Sequence, residues 1–351
     1  MMARLSALLL GALLLGGCAS PAAGRGEDPS SAQNDLAPLR SDGGTASHHP
    51  PPSVTSASRP SSTPPSNSSG PESGNGTVPA PGPIPTWADP KVADLFPGVL
   101  LQGDGICTTN FLFVSDDNRH IYLGSAAHCF NDAPDGAVPC NNSTRPFPLG
   151  TQVLFLSRDA GYVAWQTGTP VNDTMLNVTG TLAYTSWGVM LEADEDPYDL
   201  PCGHNDFALV EIPLEAQVRT TPYTPHFGPT TEIAKPDELP VGTLVQSYGN
   251  SPLWFNQEVT KEKQGLITEE PKDATGNWFV LATMAPPGVF GDSGSGLMTA
   301  DHKAVGVLSM FAETSGNPSA TGIGTGVYTY LGAALAYMEA HGGPKVHLAQ
   351  V

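Results

Sequence analysis

Three short segments carry side chains that could do acyl-transfer chemistry. Ala126-Ala127-His128-Cys129 offers an imidazole, and Asn205-Asp206-Phe207-Ala208-Leu209-Val210 a carboxylate at the head of an apolar run. Gly291-Asp292-Ser293-Gly294-Ser295-Gly296 places a hydroxyl among glycines. A serine hydroxyl is a poor nucleophile until an adjacent base takes its proton. A histidine can be that base, with an aspartate to orient the ring and stabilise the imidazolium. The glycines around Ser293 allow a turn tight enough to expose Oγ and to aim backbone N–H groups at one point. Asp196 and Asp199 compete for the acid's role, but a buried acid belongs at the start of an apolar strand, which favours Asp206.

The sequence order His, Asp, Ser separates this chain from subtilisin-type enzymes (Asp, His, Ser) and from α/β-hydrolases (Ser, acid, His). Ser295 also stands where the hydrolase elbow G-x-S-x-G needs its second glycine. The three segments resemble those of the chymotrypsin/trypsin-like serine peptidases of bacterial type. Weaker echoes are Gly105-Ile106-Cys107-Thr108-Thr109-Asn110-Phe111, Ala304-Val305-Gly306-Val307-Leu308-Ser309 and Gly326-Val327-Tyr328-Thr329. Together they cover about residues 97 to 341. The resemblance implies an all-β fold of two six-stranded antiparallel β-barrels with a short C-terminal α-helix. His128 and Asp206 would sit in the first barrel, Ser293 in the second, and the site at the cleft between them. The N–H groups of Gly291 and Ser293 would form the oxyanion hole. The family's counterpart of Asp292 pairs with an amine freed by cleavage. No such start is evident near Pro97-Gly98-Val99-Leu100, so either an unseen cleavage supplies the amine or Asp292 has another donor.

Four cysteines follow Cys18, and an even number in an exported chain suggests two disulfides, with three pairings open. The resemblance selects Cys107–Cys129, which leaves Cys140–Cys202. It also places Pro287, Ser309, Phe311 and Gly326 around the specificity pocket. Pro287 stands where trypsin-type enzymes carry the aspartate that accepts Arg or Lys. Phe311 could narrow or close the pocket, while Gly326 keeps its far wall open. Small or apolar side chains are therefore expected rather than basic ones.

The elements that must position these residues read as short β-branched and aromatic runs split by Gly, Pro, Asn and Asp. Candidate strands are Ile106–Val114, His120–Ala126, Gln152–Ser157, Thr179–Tyr184, Asp206–Ile212, Thr243–Tyr248, Trp278–Met284, Gly294–Met298, Ala304–Met310 and Gly326–Tyr330. Near the end, Leu331, Leu335 and Met338 share one helical face, closed by Gly342-Gly343.

The rest of the chain concerns address and partners. Met1 to Arg4 is a basic n-region and Leu5 to Leu15 an apolar segment of signal-peptide length. Leu15-Gly16-Gly17-Cys18 resembles a bacterial lipobox, which implies a signal peptide over 1–17 and lipidation of Cys18; the other reading is a plain secretory signal. Residues 18–90, rich in Pro, Ser and Gly, lack the large apolar residues needed to offset ordering entropy and read as a disordered tether. A removable pro-segment within it is also open. Residues 91–351 suit one peptidase domain.

The chain carries 34 acidic and 15 basic residues, a net charge of −19, which argues against nucleic acid because phosphate contacts need clustered Lys and Arg. The cysteine spacings fit no zinc site and His48-His49 is too isolated for one, so no metal or other cofactor is expected. The run Glu192, Asp194, Glu195, Asp196 could bind calcium through oxygen ligands or be a solvated loop. The expectation is an exported, monomeric, lipid-anchored serine endopeptidase acting on peptide or protein substrates. The alternative is a catalytically silent surface binding protein of the same fold.

Overall fold

Runs such as Ile121–Ser125, with every residue buried, and Lys303–Phe311, with five consecutive buried positions, build a mostly β architecture. The computed structural model describes residues 82–83, 85–132, 139–140, 144–156, 176–254, 257–271, 277–311 and 322–351. The signal segment, Cys18, His48-His49 and the Pro-rich stretch up to residue 81 lie outside the described residues. All described residues fall in one compact unit, Gly74–Val351. Among them, no helix is long and apolar enough to cross a membrane.

The first sheet has eight strands. Its spatial order is Val346–Leu348, Leu112–Ser115, Ile121–Ser125, Ala208–Glu211, Leu176–Thr185, Gln152–Leu156, Leu100–Gln102 and Ile106–Thr108, as an antiparallel half-barrel. The second sheet closes. Six antiparallel strands, Lys303–Phe311, Gly296–Thr299, Leu244–Tyr248, Glu262–Glu269, Phe279–Ala285 and Gly324–Tyr330, form a barrel because the last pairs back with the first. Glu232–Ile233 adds a parallel edge strand.

The closed barrel is filled by Val245, Ile267, Val280, Leu297, Val305, Leu308 and Tyr328. A larger core runs from Phe113, Leu123, Phe155 and Leu209 of the first sheet to Met298 and Val307 of the second. The expected C-terminal helix spans Leu331–Ala340 and buries Leu331, Ala334, Tyr337 and Met338. Gly343 N–H closes it on the Met338 carbonyl at 2.9 Å.

The structure divides the expected strand Ile106–Val114 into Ile106–Thr108 and Leu112–Ser115. The break falls at Asn110, whose Oδ1 accepts from the Phe111 N–H at 2.7 Å and so diverts the backbone from ladder pairing. Six described strands lie outside the expected ones: Leu100–Gln102, Glu232–Ile233, Glu262–Glu269, Val346–Leu348, and the small antiparallel pair Tyr223–Thr224 and Gly228–Pro229. Both disulfides form as the resemblance implied, Cys107–Cys129 and Cys140–Cys202.

Candidate active site

His128 lies in a single 3-10 turn, Ala127–Phe130, at the end of strand Ile121–Ser125. Asp206 precedes strand Ala208–Glu211, which pairs with that same strand, so the two residues arrive at one end of neighbouring strands. Their contact is double. His128 Nδ1 bonds to Asp206 Oδ2 at 2.6 Å, and the His128 backbone N–H donates to Asp206 Oδ1 at 2.8 Å. A third donor is the Ser309 hydroxyl, 2.7 Å from Asp206 Oδ2. Ser309 sits at a register shift between Leu308 and Met310, and a bulge there re-aims the side chain.

Burial alone would raise the Asp206 carboxyl, yet the His128 charge, the His128 bonds and the Ser309 hydroxyl hold it below the ordinary carboxylate value. Burial alone would likewise lower His128, but the Asp206 charge and hydrogen bond hold the imidazole above its ordinary value. Asp206 is thus an anion at neutral pH, 4% exposed, facing a ring that is 28% exposed. The competing acids are elsewhere: Asp196 accepts from Tyr198 N–H, and Asp199 flanks the short helix Leu200–His204. Of the acidic run, Glu195 accepts from the Tyr337 hydroxyl at 2.9 Å.

Ser293 belongs to a turn held by the first sheet. Thr108 N–H donates to the Ser293 carbonyl at 2.8 Å, and the Thr108 hydroxyl to the Gly291 carbonyl at 2.7 Å. Asn110 Nδ2 adds a bond to the Gly294 carbonyl at 3.1 Å. Gly291 and Gly294 both have positive φ, 96° and 85°. A Cβ on Gly294 would collide with Ser125 and with Ala126, two residues before His128. The turn is therefore packed against the strand end that carries the histidine. No hydrogen bond joins Ser293 Oγ to His128, and among the described residues the N–H groups of Gly291 and Ser293 have no acceptor.

Asp292 points away from this turn into the interior and is fully buried. Its Oδ1 accepts from Ser251 N–H at 2.9 Å and its Oδ2 from Val289 N–H at 3.0 Å. The cation that meets it is Lys263 Nζ, 3.2 Å away with its side chain 1% exposed. Lys263 also donates to the Thr260 carbonyl at 2.7 Å. Of the two possibilities open for Asp292, an internal donor is the one present. Sequence reading missed Lys263 because Glu262-Lys263-Gln264-Gly265 looks like a solvated polar stretch, whereas it begins a barrel strand.

Pro287 is buried at the entry to the serine turn. The Phe311 ring lies over the neighbouring Gly288 so closely that a Cβ there would sit 2.5 Å from Cε1. Phe290, 79% exposed, meets Phe311 edge-to-face with ring centres 6.1 Å apart. Gly326 pairs with Phe311 across the strands, against Tyr328 and Leu308. Of the residues assigned to the specificity pocket, Pro287, Phe311 and Gly326 thus gather around Gly288, while the Ser309 hydroxyl is committed to Asp206.

A pocket of about 190 Å³ opens on the other flank of His128, lined by Trp187, Cys202, His204, Asn205, Asp206 and Met310 among others. The ligand atoms of Cys107, Cys129 and His128 lie within 4.8 Å of one another. Both sulfurs are consumed in a disulfide, so they offer no thiolate to a metal.

No protein-family model and no curated protein matches the chain. Among solved structures it is similar to Thermobifida fusca Protease A, at 16% identity and TM-score 0.41 over 73% of this chain and 99% of that one. A Nocardiopsis protease aligns at 17% identity and TM-score 0.40, over 74% of this chain and 100% of that one. For a Cellulomonas bogoriensis chymotrypsin the values are 17%, 0.39, 74% and 100%.

Proposed function

We propose that the chain is a serine endopeptidase that cleaves peptide bonds through an acyl-enzyme. The observation that carries this reading is the doubly bonded His128–Asp206 pair, which fixes the imidazole by Nδ1 and leaves Nε2 to act as base. In the reaction, Ser293 Oγ attacks the scissile carbonyl carbon as His128 takes its proton, and the C=O π electrons pass to the oxygen. The acceptor-free N–H groups of Gly291 and Ser293 are the donors for that oxyanion, a device worth about 10²–10³ in rate per donor. His128 then protonates the leaving amine, and water repeats the sequence on the ester.

Lys263 supports the reading in a second way, because it neutralises Asp292 without a newly freed N-terminus. The enzyme therefore needs no activating cleavage at residues 97–100. At Pro287 there is no carboxylate for an Arg or Lys side chain, and Phe311 over Gly288 supports a preference for small or apolar side chains. The two disulfides fit an exported protein, and export with lipidation at Cys18 remains part of the proposal.

Treating the full chain and its Ser293→Ala variant with a fluorophosphonate probe tests the function. Labelling of the first and not the second is expected. A folded wild-type chain that stays unlabelled overturns the reading and favours the silent binding protein. Cleavage mainly after Arg or Lys in a peptide-library digest overturns the specificity. Cys18→Ser should release the protein from membranes, and retention refutes the anchor.

A further inference from the structure

The turn around Ser293 leaves the Gly291 and Ser293 N–H groups without an acceptor among the described residues, and the carbonyls behind them decide where they point. A trans peptide aims its C=O and its N–H to opposite sides of one plane. The Gly291 N–H shares its plane with the Phe290 carbonyl, and the Ser293 N–H with the Asp292 carbonyl. The second plane is fixed by the turn itself, because Ser295 N–H donates to the Asp292 carbonyl at 3.0 Å. The first is fixed from outside the turn. Ser251, fully buried, donates its hydroxyl to the Phe290 carbonyl at 2.5 Å.

The backbone alone does not hold that first plane. Turning it over changes ψ of Phe290 and φ of Gly291, and a glycine accepts φ of either sign; here φ is 96°. Phe290 is 79% exposed, so packing offers little resistance. Turned over, the plane would present a carbonyl oxygen where a substrate oxyanion needs a donor, and would repel it. The next carbonyls are held by the first sheet, Gly291 by the Thr108 hydroxyl and Ser293 by Thr108 N–H. The Phe290–Gly291 plane is therefore the joint at which the turn can fail.

Ser251 is itself firmly placed. Its N–H donates to Asp292 Oδ1 at 2.9 Å, and its Oγ accepts from Leu253 N–H at 3.1 Å, which leaves the hydroxyl proton for Phe290. The residue before it is tied down as well. Asn250 N–H reaches the Thr108 hydroxyl at 3.2 Å, and Asn250 Nδ2 the Gly98 carbonyl at 3.0 Å. The approach is so close that a Cβ on Gly291 would sit 3.0 Å from Ser251 Oγ.

We propose that Ser251 is a positioning residue whose hydroxyl keeps the Gly291 N–H aimed at the oxyanion of the acyl-transfer step. This rests on the peptidase reading and deepens it. One buried serine holds Asp292 with its backbone and the oxyanion donor's plane with its side chain.

The test compares the full-length wild type, Ser251→Ala and Ser251→Cys in labelling by an alkyl fluorophosphonate, with the rate resolved across pH into a binding constant and a maximal rate. Ser251→Ala should lower the maximal rate about tenfold or more, towards the ~10²–10³ of a lost donor, at an unchanged binding constant. The pH midpoint set by His128 should stay in place. In wild type, the phosphonyl oxygen takes the Gly291 hydrogen bond and should move that amide-proton resonance downfield; the alanine variant should lose this move. Cysteine, similar in shape but a weaker donor, should fall between, and it carries the test alone if the alanine variant does not fold. A folded Ser251→Ala chain, or failing that Ser251→Cys, that labels within about twofold of wild type overturns the proposal and leaves the peptidase standing. So does a slow variant whose pH midpoint or binding constant moves with the rate, because that is general damage to the site. A wild-type chain that never labels refutes the peptidase, and the positioning role with it.

Discussion

Removing the Lys263 amine with Lys263→Met puts the support of the serine turn to a quantitative test. The change leaves the Asp292 carboxylate fully buried with only two backbone donors, Ser251 N–H and Val289 N–H. Taking one partner from a buried ion pair typically costs about 3–5 kcal/mol, a large part of the ~5–15 kcal/mol that holds a domain together. The damage reaches function through geometry. Asp292 lies between the two residues whose N–H groups would receive the oxyanion, so its displacement moves both donors. Loss of one such donor lowers rate about 10²–10³-fold. The assays are urea unfolding and the rate of fluorophosphonate labelling on the same samples. Lys263→Met with Asp292→Asn removes both charges and should recover much of the stability, because the uncompensated carboxylate is the expensive species. The reasoning is refuted if Lys263→Met costs under about 1 kcal/mol and labels like wild type, or if the double variant is no more stable than the single.

Other outcomes follow from the same geometry. Only neutral His128 can act as base, and Asp206 holds its pKa above the ordinary ~6.5, so the labelling rate should climb through a midpoint above that value; a midpoint at or below it contradicts the pairing. The sign for stability is opposite: the raised His128 contributes fully below ~6.5 and is lost as pH rises through its folded value. Asp206 contributes above the ordinary carboxylate range and is lost as pH falls through its depressed one. Phe311→Gly should uncover the space beside Gly288 and raise kcat/KM for large apolar residues at the cut about 10–200-fold; an unchanged digest pattern refutes the blockade. Replacing Cys140 and Cys202 by alanine opens a link between residues 62 apart, and chain entropy puts the loss near 4 kcal/mol, measured as a fall in midpoint urea. A loss below about 1 kcal/mol would mean the 200–204 segment is held by its packing alone.

The sequence was most legible where one residue type had one job. The order of the segments put His128 and Asp206 forward as partners, and two hydrogen bonds join them, while the apolar strands flanking them show in their side chains. Legibility failed where a residue's neighbour, not its type, sets its role. Lys263 reads as a surface lysine until the strand Glu262–Glu269 turns it inward against Asp292. Asn205 reads as the prelude to an acid, yet its side-chain amide is buried and unpaired. Thr108 and Asn110 pass for strand residues, yet both reach across to hold the serine turn. The Lys263–Asp292 pair joins residues 29 apart and the bonds of Thr108 and Asn110 join residues 183 and 184 apart, pairings that local periodicity does not encode.

The chain's last strand has a consequence for how the molecule comes apart. After the helix Leu331–Ala340, which follows directly on a barrel strand, Val346–Leu348 crosses back to pair with Leu112–Ser115 at the margin of the other sheet. Ala349 N–H then bonds to the Leu112 carbonyl, and Gln350 receives the indole N–H of Trp87 from the start of the described chain. The polypeptide is laced rather than hinged. Neither sheet can melt while the other stays whole unless this lacing tears first, so heat should meet a single cooperative unit. Amide hydrogens on Phe113 and on the barrel strand Phe279–Ala285 should accordingly exchange with one shared opening free energy.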